Sequence, residues 1–297
     1  MPLIALLALL VVAVLWGSAF PLIKVGLSGL SVPHLTVVRH LVASGAFAVF
    51  LLATGRRLRP AWSDVPWFLL LGFSGMFVYH TALNAGELRV SAGATSLIIA
   101  TAPAITALLA RLITGERLPA WGWAGIATSF SGVVLIVLGD TPDLRFDPFA
   151  GFVLLSAFAT SLYFVLQQRM FARYQAVEVT AFVTWGGTVP MLAFLPGLPA
   201  DVLSAPPQAL MAAVYIGLLP SAVAYSLFAF AQTRAPVTQV ATMLYTVPLF
   251  SLLLSWGILG EVPTLLTLLG GAVAIVGIVM VQRARRHAAR RVTALRG

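Results

Sequence analysis

The chain is built almost wholly from apolar runs about as long as a lipid bilayer is thick. A hydrocarbon core about 30 Å deep takes roughly 20 mostly apolar residues of α-helix to cross. Reading from one Gly, Pro or charged boundary to the next predicts ten such helices, at 3–27, 33–53, 66–86, 91–113, 119–139, 148–170, 177–196, 207–231, 236–258 and 264–283. Of the 297 residues 60% are hydrophobic and only 9% charged, against about 25% charged in a soluble domain. Almost nothing is left over for a soluble domain, so the expected fold class is all-α integral membrane. The first run, Met1 to Phe20, has no basic n-region and reads as a retained helix rather than a signal peptide. There is no cysteine, which excludes disulfides, thiolate metal sites and cysteine nucleophiles.

An even number of crossings puts both termini on one side, and the basic residues select that side. With the termini in the cytoplasm, the inner segments hold Arg56, Arg57, Arg59, Arg111, Arg117, Arg169, Arg173, Arg234 and the tail arginines from Arg283 to Arg296. The outer loops then hold only Arg89 and Arg145, while Lys24 and Arg39 fall in helices. Positive charge gathers on the cytoplasmic side of membrane proteins. The net charge of +9 is thus accounted for by topology and by a tail that anchors on anionic lipid headgroups, and not by nucleic-acid binding.

The second half repeats the first at a shift of 145 positions. Pro103 falls on Pro248, Gly115-Glu116 on Gly260-Glu261, Gly125 on Gly270, Gly132 on Gly277 and Arg89 on Arg234. Five helices per half force the second half to enter the bilayer from the opposite side. Inverted halves that can exchange conformations open a central site to each face in turn, which is the physical basis of many carriers. The expected units are an N-terminal five-helix repeat at 1–140, a C-terminal one at 148–283 and a basic cytoplasmic tail at 284–297.

The matching segments, Thr95 to Val134 and Val240 to Val279, each run as helix, Pro, apolar stretch, Gly-Glu and Gly-rich helix. With Trp16-Gly17-Ser18-Ala19-Phe20, Lys24 and Arg39 they resemble the EamA-type branch of the drug/metabolite transporter superfamily over essentially the whole length. Helix 6 departs from the pattern, since Phe158 to Tyr163 lacks a tryptophan-glycine pair. The resemblance implies ten helices in two inverted repeats, a bacterial inner-membrane location, and export or exchange of small metabolites such as amino acids, nucleosides or cationic drugs.

A charge at the bilayer centre costs about 2.5–3.5 kcal/mol or more, so a buried carboxylate would be a strong functional marker. None is expected: Asp64, Glu87, Glu116, Asp140, Asp143, Asp147, Glu178, Asp201 and Glu261 all fall in loops or at helix ends. That argues against cation exchange at a central carboxylate and against an intramembrane protease. A neutral or zwitterionic substrate fits better.

Helix 3 carries Tyr79, His80 and Asn84, the last two at i and i+4 on one face, read as cavity-lining, with His80 taken as the only histidine well inside a span and a candidate proton-sensitive group. Trp16, Ser18, Tyr163, Gln167, Trp185, Tyr225 and Tyr245 complete the candidate substrate site. Such a wall combines aromatic faces with hydroxyls and amides; ordinary helix packing is the competing reading. Of Gln167 and Gln168, one faces the pathway. Trp62, Trp67, Trp121 and Trp123 lie near helix ends as interfacial residues. Lys24 and Arg39 are expected at the outer vestibule, where either could attract a substrate carboxylate or snorkel to the headgroups. Pro103 and Pro248 are candidate paired hinges, and Glu116 and Glu261 caps or gate residues. Gly125, Gly132, Gly270, Gly271 and Gly277 allow close helix approach, within a monomer more than in a dimer.

The function expected is export of small metabolites, amino acids including aromatic or apolar ones first, by alternating access. A multidrug cation exporter is the alternative, and a polytopic membrane enzyme a more distant one. No cofactor or metal is implied, and the absence of a P-loop leaves a solute gradient as the driving force.

Overall fold

The computed structural model describes residues 2–56, 59–114, 119–141, 144–232, 234 and 244–294. It is helical throughout, with no strand among the described residues. The helices are α1 (Leu3–Leu27), α2 (Val32–Ala53), α3 (Val65–Gly72), α4 (Tyr79–Gly86), α5 (Ala92–Ile99), α6 (Ala102–Thr114), α7 (Ala120–Gly139) and α8 (Phe149–Leu166). They continue as α9 (Ala176–Met191), the short α10 (Leu198–Ser204), α11 (Pro207–Leu218), α12 (Tyr225–Gln232), α13 (Val247–Leu259) and α14 (Leu265–Ala294).

Among the described residues nine continuous helical stretches are long and apolar enough to cross a membrane. Their bounds lie within a few residues of those expected, from Leu3–Leu27 to Leu265–Ala284. The expected helix at 236–258 is described only from residue 244 on. Its α13 portion has 13 residues, short of a full crossing. The last helix continues to Ala294, so most of the expected tail at 284–297 extends it.

Helix boundaries follow local chemistry. Pro33, Pro66, Pro207 and Pro248 sit in first turns, where a missing N–H costs nothing. Ser91 caps α5 by accepting from the Ala94 N–H at 3.2 Å. Gly260 ends α13 at φ 69°, left-handed backbone that only glycine adopts freely.

The fourth crossing is broken at Ala100-Thr101, and α6 restarts with Pro103 in its first turn. Its repeat partner Pro248 likewise starts α13. The third and eighth crossings each widen into a π-helical stretch, Phe73–Val78 and Leu219–Ala224, again about 145 positions apart. The two halves therefore share their irregularities as well as their apolar runs.

Contacts between helix ends show how the crossings alternate. At one face, Arg56 bonds Gln175, and the Tyr174 hydroxyl reaches the Ala61 N–H at 2.9 Å. This face, which also carries the start of α1, is called the near face below. At the far face, Ser31 and His34 bond Asp201, Ser91 bonds Asp140, Arg89 pairs with Asp147 at 3.0 Å, and Thr264 bonds the Gly139 carbonyl at 2.8 Å.

The tightest seam joins α7 to α14. A Cβ on Gly132 would lie 2.4 Å from the Ala274 nitrogen and 2.6 Å from the Gly270 carbonyl oxygen, and one on Gly277 2.3 Å from the Ser129 nitrogen. These backbones touch directly, which is what small residues permit in lipid. Leu3, Val49, Leu52, Met211 and Val276 are exposed on the outer surface, as lipid-facing positions must be.

Candidate functional site

An open cavity of about 1050 Å³ enters the bundle from the near face, between the start of α1, the end of α2, the α8–α9 connection and α12. Val11, Phe50, Gln168, Tyr174, Ser226 and Leu227 line it. The neighbouring Gln167 is buried and absent from the lining. Gln168 is therefore the glutamine that faces the opening, its side-chain amide also meeting the Phe164 carbonyl at 3.4 Å.

Beside that lining, on α1 and α12, comes an aromatic group that does not itself line the cavity. The Trp16 ring stands against Tyr225 at 5.1 Å and Phe228 at 5.2 Å. Its indole N–H donates to the Pro220 carbonyl at 3.0 Å, a group in the wide turn between α11 and α12. Ser18, also on α1, donates to the Leu15 carbonyl at 2.9 Å and lies 3.0 Å from the Tyr215 hydroxyl.

Next to this group sits Arg39. It is 3% exposed and donates from Nη2 to the Ser221 hydroxyl at 3.2 Å. Its Nε and Nη1 have no hydrogen-bond partner. Tyr79, Tyr225 and Glu87 lie within its electrostatic reach, and it has no ion-pair partner among the described residues. The vestibule expected for Arg39 is thus corrected: α11 packs on α2 so closely that the Gly217 position touches the Arg39 carbonyl, which leaves no route for snorkelling. Lys24 does lie near the far surface, 3.4 Å from Glu261.

The helix 3 set is packed rather than cavity-facing. His80 is 2% exposed, bonds the Met76 carbonyl at 3.0 Å through Nδ1, and stacks edge-on against Tyr79 at 4.4 Å and His40 at 4.6 Å. His80 is therefore not the only histidine inside a span, because His40 is 1% exposed beside it. Asn84 is fully buried and donates to the Thr36 hydroxyl at 2.8 Å, leaving its Oδ1 without a partner.

Other expected site residues separate from this group. Tyr163 is 2% exposed and covers Gly75 within the α3–α8–α9 core. Trp185 donates to the Ser44 carbonyl at 3.1 Å and packs beside Phe182. Tyr245 is half-buried in the turn ahead of α13. Glu116 lies outside the described residues. Glu261 caps a helix, but not the one that follows it: its Oε2 accepts from the Ala92 N–H at the start of α5 at 2.9 Å.

The described carboxylates lie in loops or at helix ends as expected, yet three of them are buried within the protein. Asp64, Glu87 and Glu178 are 5%, 1% and 6% exposed. Asp64 accepts from the Tyr174 hydroxyl at 2.6 Å and pairs with Arg173. Glu178 accepts from the Gln175 N–H at 2.9 Å in a capping box. Glu87 has no such partner on either oxygen. It was hidden because it directly follows a predicted span; Gly86, packed on Val153, draws the helix end inside.

The comparisons with known proteins agree with this architecture. The chain matches the EamA-like transporter family twice, over residues 3–138 and 149–283. It is 41% identical over 89% of its length to an uncharacterized transporter, YdfC, of Bacillus subtilis, covering 86% of that protein. It is 39% identical over 94% of its length to a probable terminal-alkyne amino-acid exporter of Streptantibioticus cattleyicolor, covering 93% of it. A probable amino-acid metabolite efflux pump of Escherichia coli is 27% identical, with 92% of each chain covered. A crystal structure at 22% identity shares the fold, with a TM-score of 0.65 over 95% of this chain and 98% of that one. With both halves matched and relatives that are transporters, the chain is a multi-pass membrane transporter, not an enzyme, and belongs to the EamA-like transporter family.

Proposed function

We propose that the chain exports zwitterionic metabolites across a bacterial inner membrane, amino acids with aromatic or other apolar side chains first among them. Transport proceeds by alternating access between two inverted five-helix halves, 1–140 and 148–283, of a ten-span monomer. The observation that carries the substrate class is the buried group next to the near-face cavity, reached along α1 and α12 beyond the residues that line it. There the aromatic wall of Trp16 and Tyr225 lies in reach of Arg39, a buried cation with two unpartnered nitrogens. An apolar side chain fits the wall, and a carboxylate supplies what the guanidinium lacks. The similarity to a probable terminal-alkyne amino-acid exporter and to a probable amino-acid metabolite efflux pump supports the same class.

The near face is the cytoplasmic one in this reading, with both termini there. Arg56, Arg169, Arg173 and Arg234 belong to it, against Arg89 and Arg145 on the far side. The matched helix starts at Pro103 and Pro248 and the paired wide turns support two related halves that trade conformations.

Counterflow in proteoliposomes tests the reading. Radiolabelled phenylalanine should enter vesicles loaded with unlabelled phenylalanine, and the Arg39→Gln variant should slow that entry at least about tenfold, the effect of about 1.4 kcal/mol. No amino-acid counterflow in the native protein refutes the substrate class. A second reading, efflux of lipophilic cations, is favoured by the buried Glu87 and disfavoured by Arg39; counterflow of tetraphenylphosphonium in place of phenylalanine would select it.

A further inference from the structure

Glu87 is the least compensated group among the described residues. It caps the C-terminal end of α4, is 1% exposed, and neither of its oxygens has a hydrogen-bond partner. An ionised carboxylate held this way bears the full loss of its hydration, and it sits at the helix end that disfavours negative charge. The neutral acid avoids most of both costs. Burial accordingly pushes the Glu87 carboxyl well above its ordinary value of 4.5, with Lys24 and Arg39 opposing that rise and Glu261 adding to it.

The charged neighbours define what the group can do. Lys24 comes from α1, Arg39 from α2 with the His40–His80 pair behind it, and Glu261 from the segment ahead of α14. On the α7 and α8 side the carboxylates are already engaged, Asp140 with Ser91 and Asp147 with Arg89. Lys24 is therefore the mobile cation of the cluster, held 3.4 Å from Glu261. Glu261 in turn accepts the Ala92 N–H.

That arrangement ties α1, the start of α5 and the end of α13 together at the far face. Below it α1 and α13 are in backbone contact: a Cβ on Gly17 would lie 2.7 Å from the Phe250 Cβ. These contacts hold α1, α5 and α13 together at the far side, while the near side holds the open cavity. An ionised Glu87 would be a second carboxylate competing for one ammonium, and would repel Glu261 at the same time.

We propose that Glu87 is a proton-binding site that latches the far-face closure. With a proton bound, the Lys24–Glu261 bridge keeps the far side shut. When the proton passes to water, the Glu87 carboxylate draws Lys24 off Glu261 and the far side opens. Each opening is then linked to one proton, which makes transport sensitive to a pH gradient. The inference rests on the alternating-access reading but not on the identity of the substrate.

Because the chain has no cysteine, a single introduced thiol reports on the closure. Ser251 is fully buried, on the α13 face that meets α5, and Ser251→Cys is nearly isosteric. Leu203, 87% exposed, supplies the control L203C, whose labelling follows thiol ionisation alone. The measurement is the labelling rate of S251C by a hydrophilic maleimide in detergent, divided by that of L203C. From about pH 5 to about pH 9 the ratio should rise about tenfold, as expected for a shift of one pKa unit between the closed and open states. In the Glu87→Gln background it should stay low and flat, while Glu87→Asp should keep the rise.

A flat ratio in the native background overturns the latch, and so does a rise that survives in E87Q. If E87Q does not fold, the native and E87D arms decide by themselves: loss of the rise in either overturns the proposal. Phenylalanine counterflow on the same preparations separates the two ideas, since a pH-dependent ratio without counterflow refutes the substrate class and leaves the latch standing.

Discussion

The seam between α7 and α14 allows one substitution type to be tested with opposite expected signs. In Gly132→Ala the new Cβ would stand 2.4 Å from the Ala274 nitrogen and 2.7 Å from the Ala274 Cα. Ordinary contact begins at 3.4 Å, so the difference, 3.4 − 2.4, asks the two helices to part by about 1 Å. The obstacle is backbone, which cannot rotate away. Overpacking of this kind costs about 1–3 kcal/mol. Gly45, within α2, has nothing within 4 Å of its Cβ position. There Gly45→Ala gains only helix propensity, about 0.8–1.0 kcal/mol. The two variants should differ by about 2–4 kcal/mol in unfolding free energy, read by SDS titration of the purified protein in mixed micelles. Equal shifts, or a G132A variant as stable as the native chain, would show that α7 and α14 are not in backbone contact and would remove the seam as a feature of the fold.

Three further outcomes are expected. Tyr174→Phe leaves the buried Asp64 and the Ala61 N–H each one partner short and should lower stability by about 1.5–3 kcal/mol in the same titration. Asp201 is held below its ordinary 3.8 by the hydrogen bonds from His34 and Ser31, so its stabilisation is present above that pH and is lost as pH falls through the lower folded value. Asp201→Asn should therefore flatten the acid limb of a stability profile and leave a smaller difference from the native chain at the lowest pH than at neutrality. Trp16→Ala removes the ring that meets Tyr225 and Phe228; it should raise the KM for phenylalanine about tenfold, with less effect on alanine, in initial-rate transport measurements.

The spans were legible because the physics that sets them is one-dimensional. Apolar length against bilayer thickness placed nine crossings within a few residues, while Pro103 and Pro248, legible as candidate hinges, lie in the first turns of α6 and α13. Depth was harder to read. Arg39 lies seven residues from the start of α2, a place that suggests the vestibule, although α11 crosses there and seals it in. The apolar run ends with Gly86, so hydropathy places Glu87 at a helix end and gives no sign of its burial. The helix 3 face was misread for a different reason. A shared face does not say which neighbour it meets: His80 and Asn84 lie one turn apart in the regular α4, beyond the π-helical stretch at Phe73–Val78, and their face packs on α2. His80 accordingly meets His40 and Met76 instead of the opening.

Those two wide stretches also change what the chain can tolerate. Removing one residue from a regular helix turns everything beyond the cut by about 100° and shifts it by about 1.5 Å, which would misplace an entire packed face. At Phe73–Val78 or Leu219–Ala224 the surplus residue of the wide turn can absorb such a deletion, the ladder tightening to i→i+4 while both flanks keep their orientation. Deletion scanning along the third and eighth crossings would then find a tolerant point in each, about 145 positions apart, marking where a helix in either half can lengthen or shorten without unthreading its neighbours.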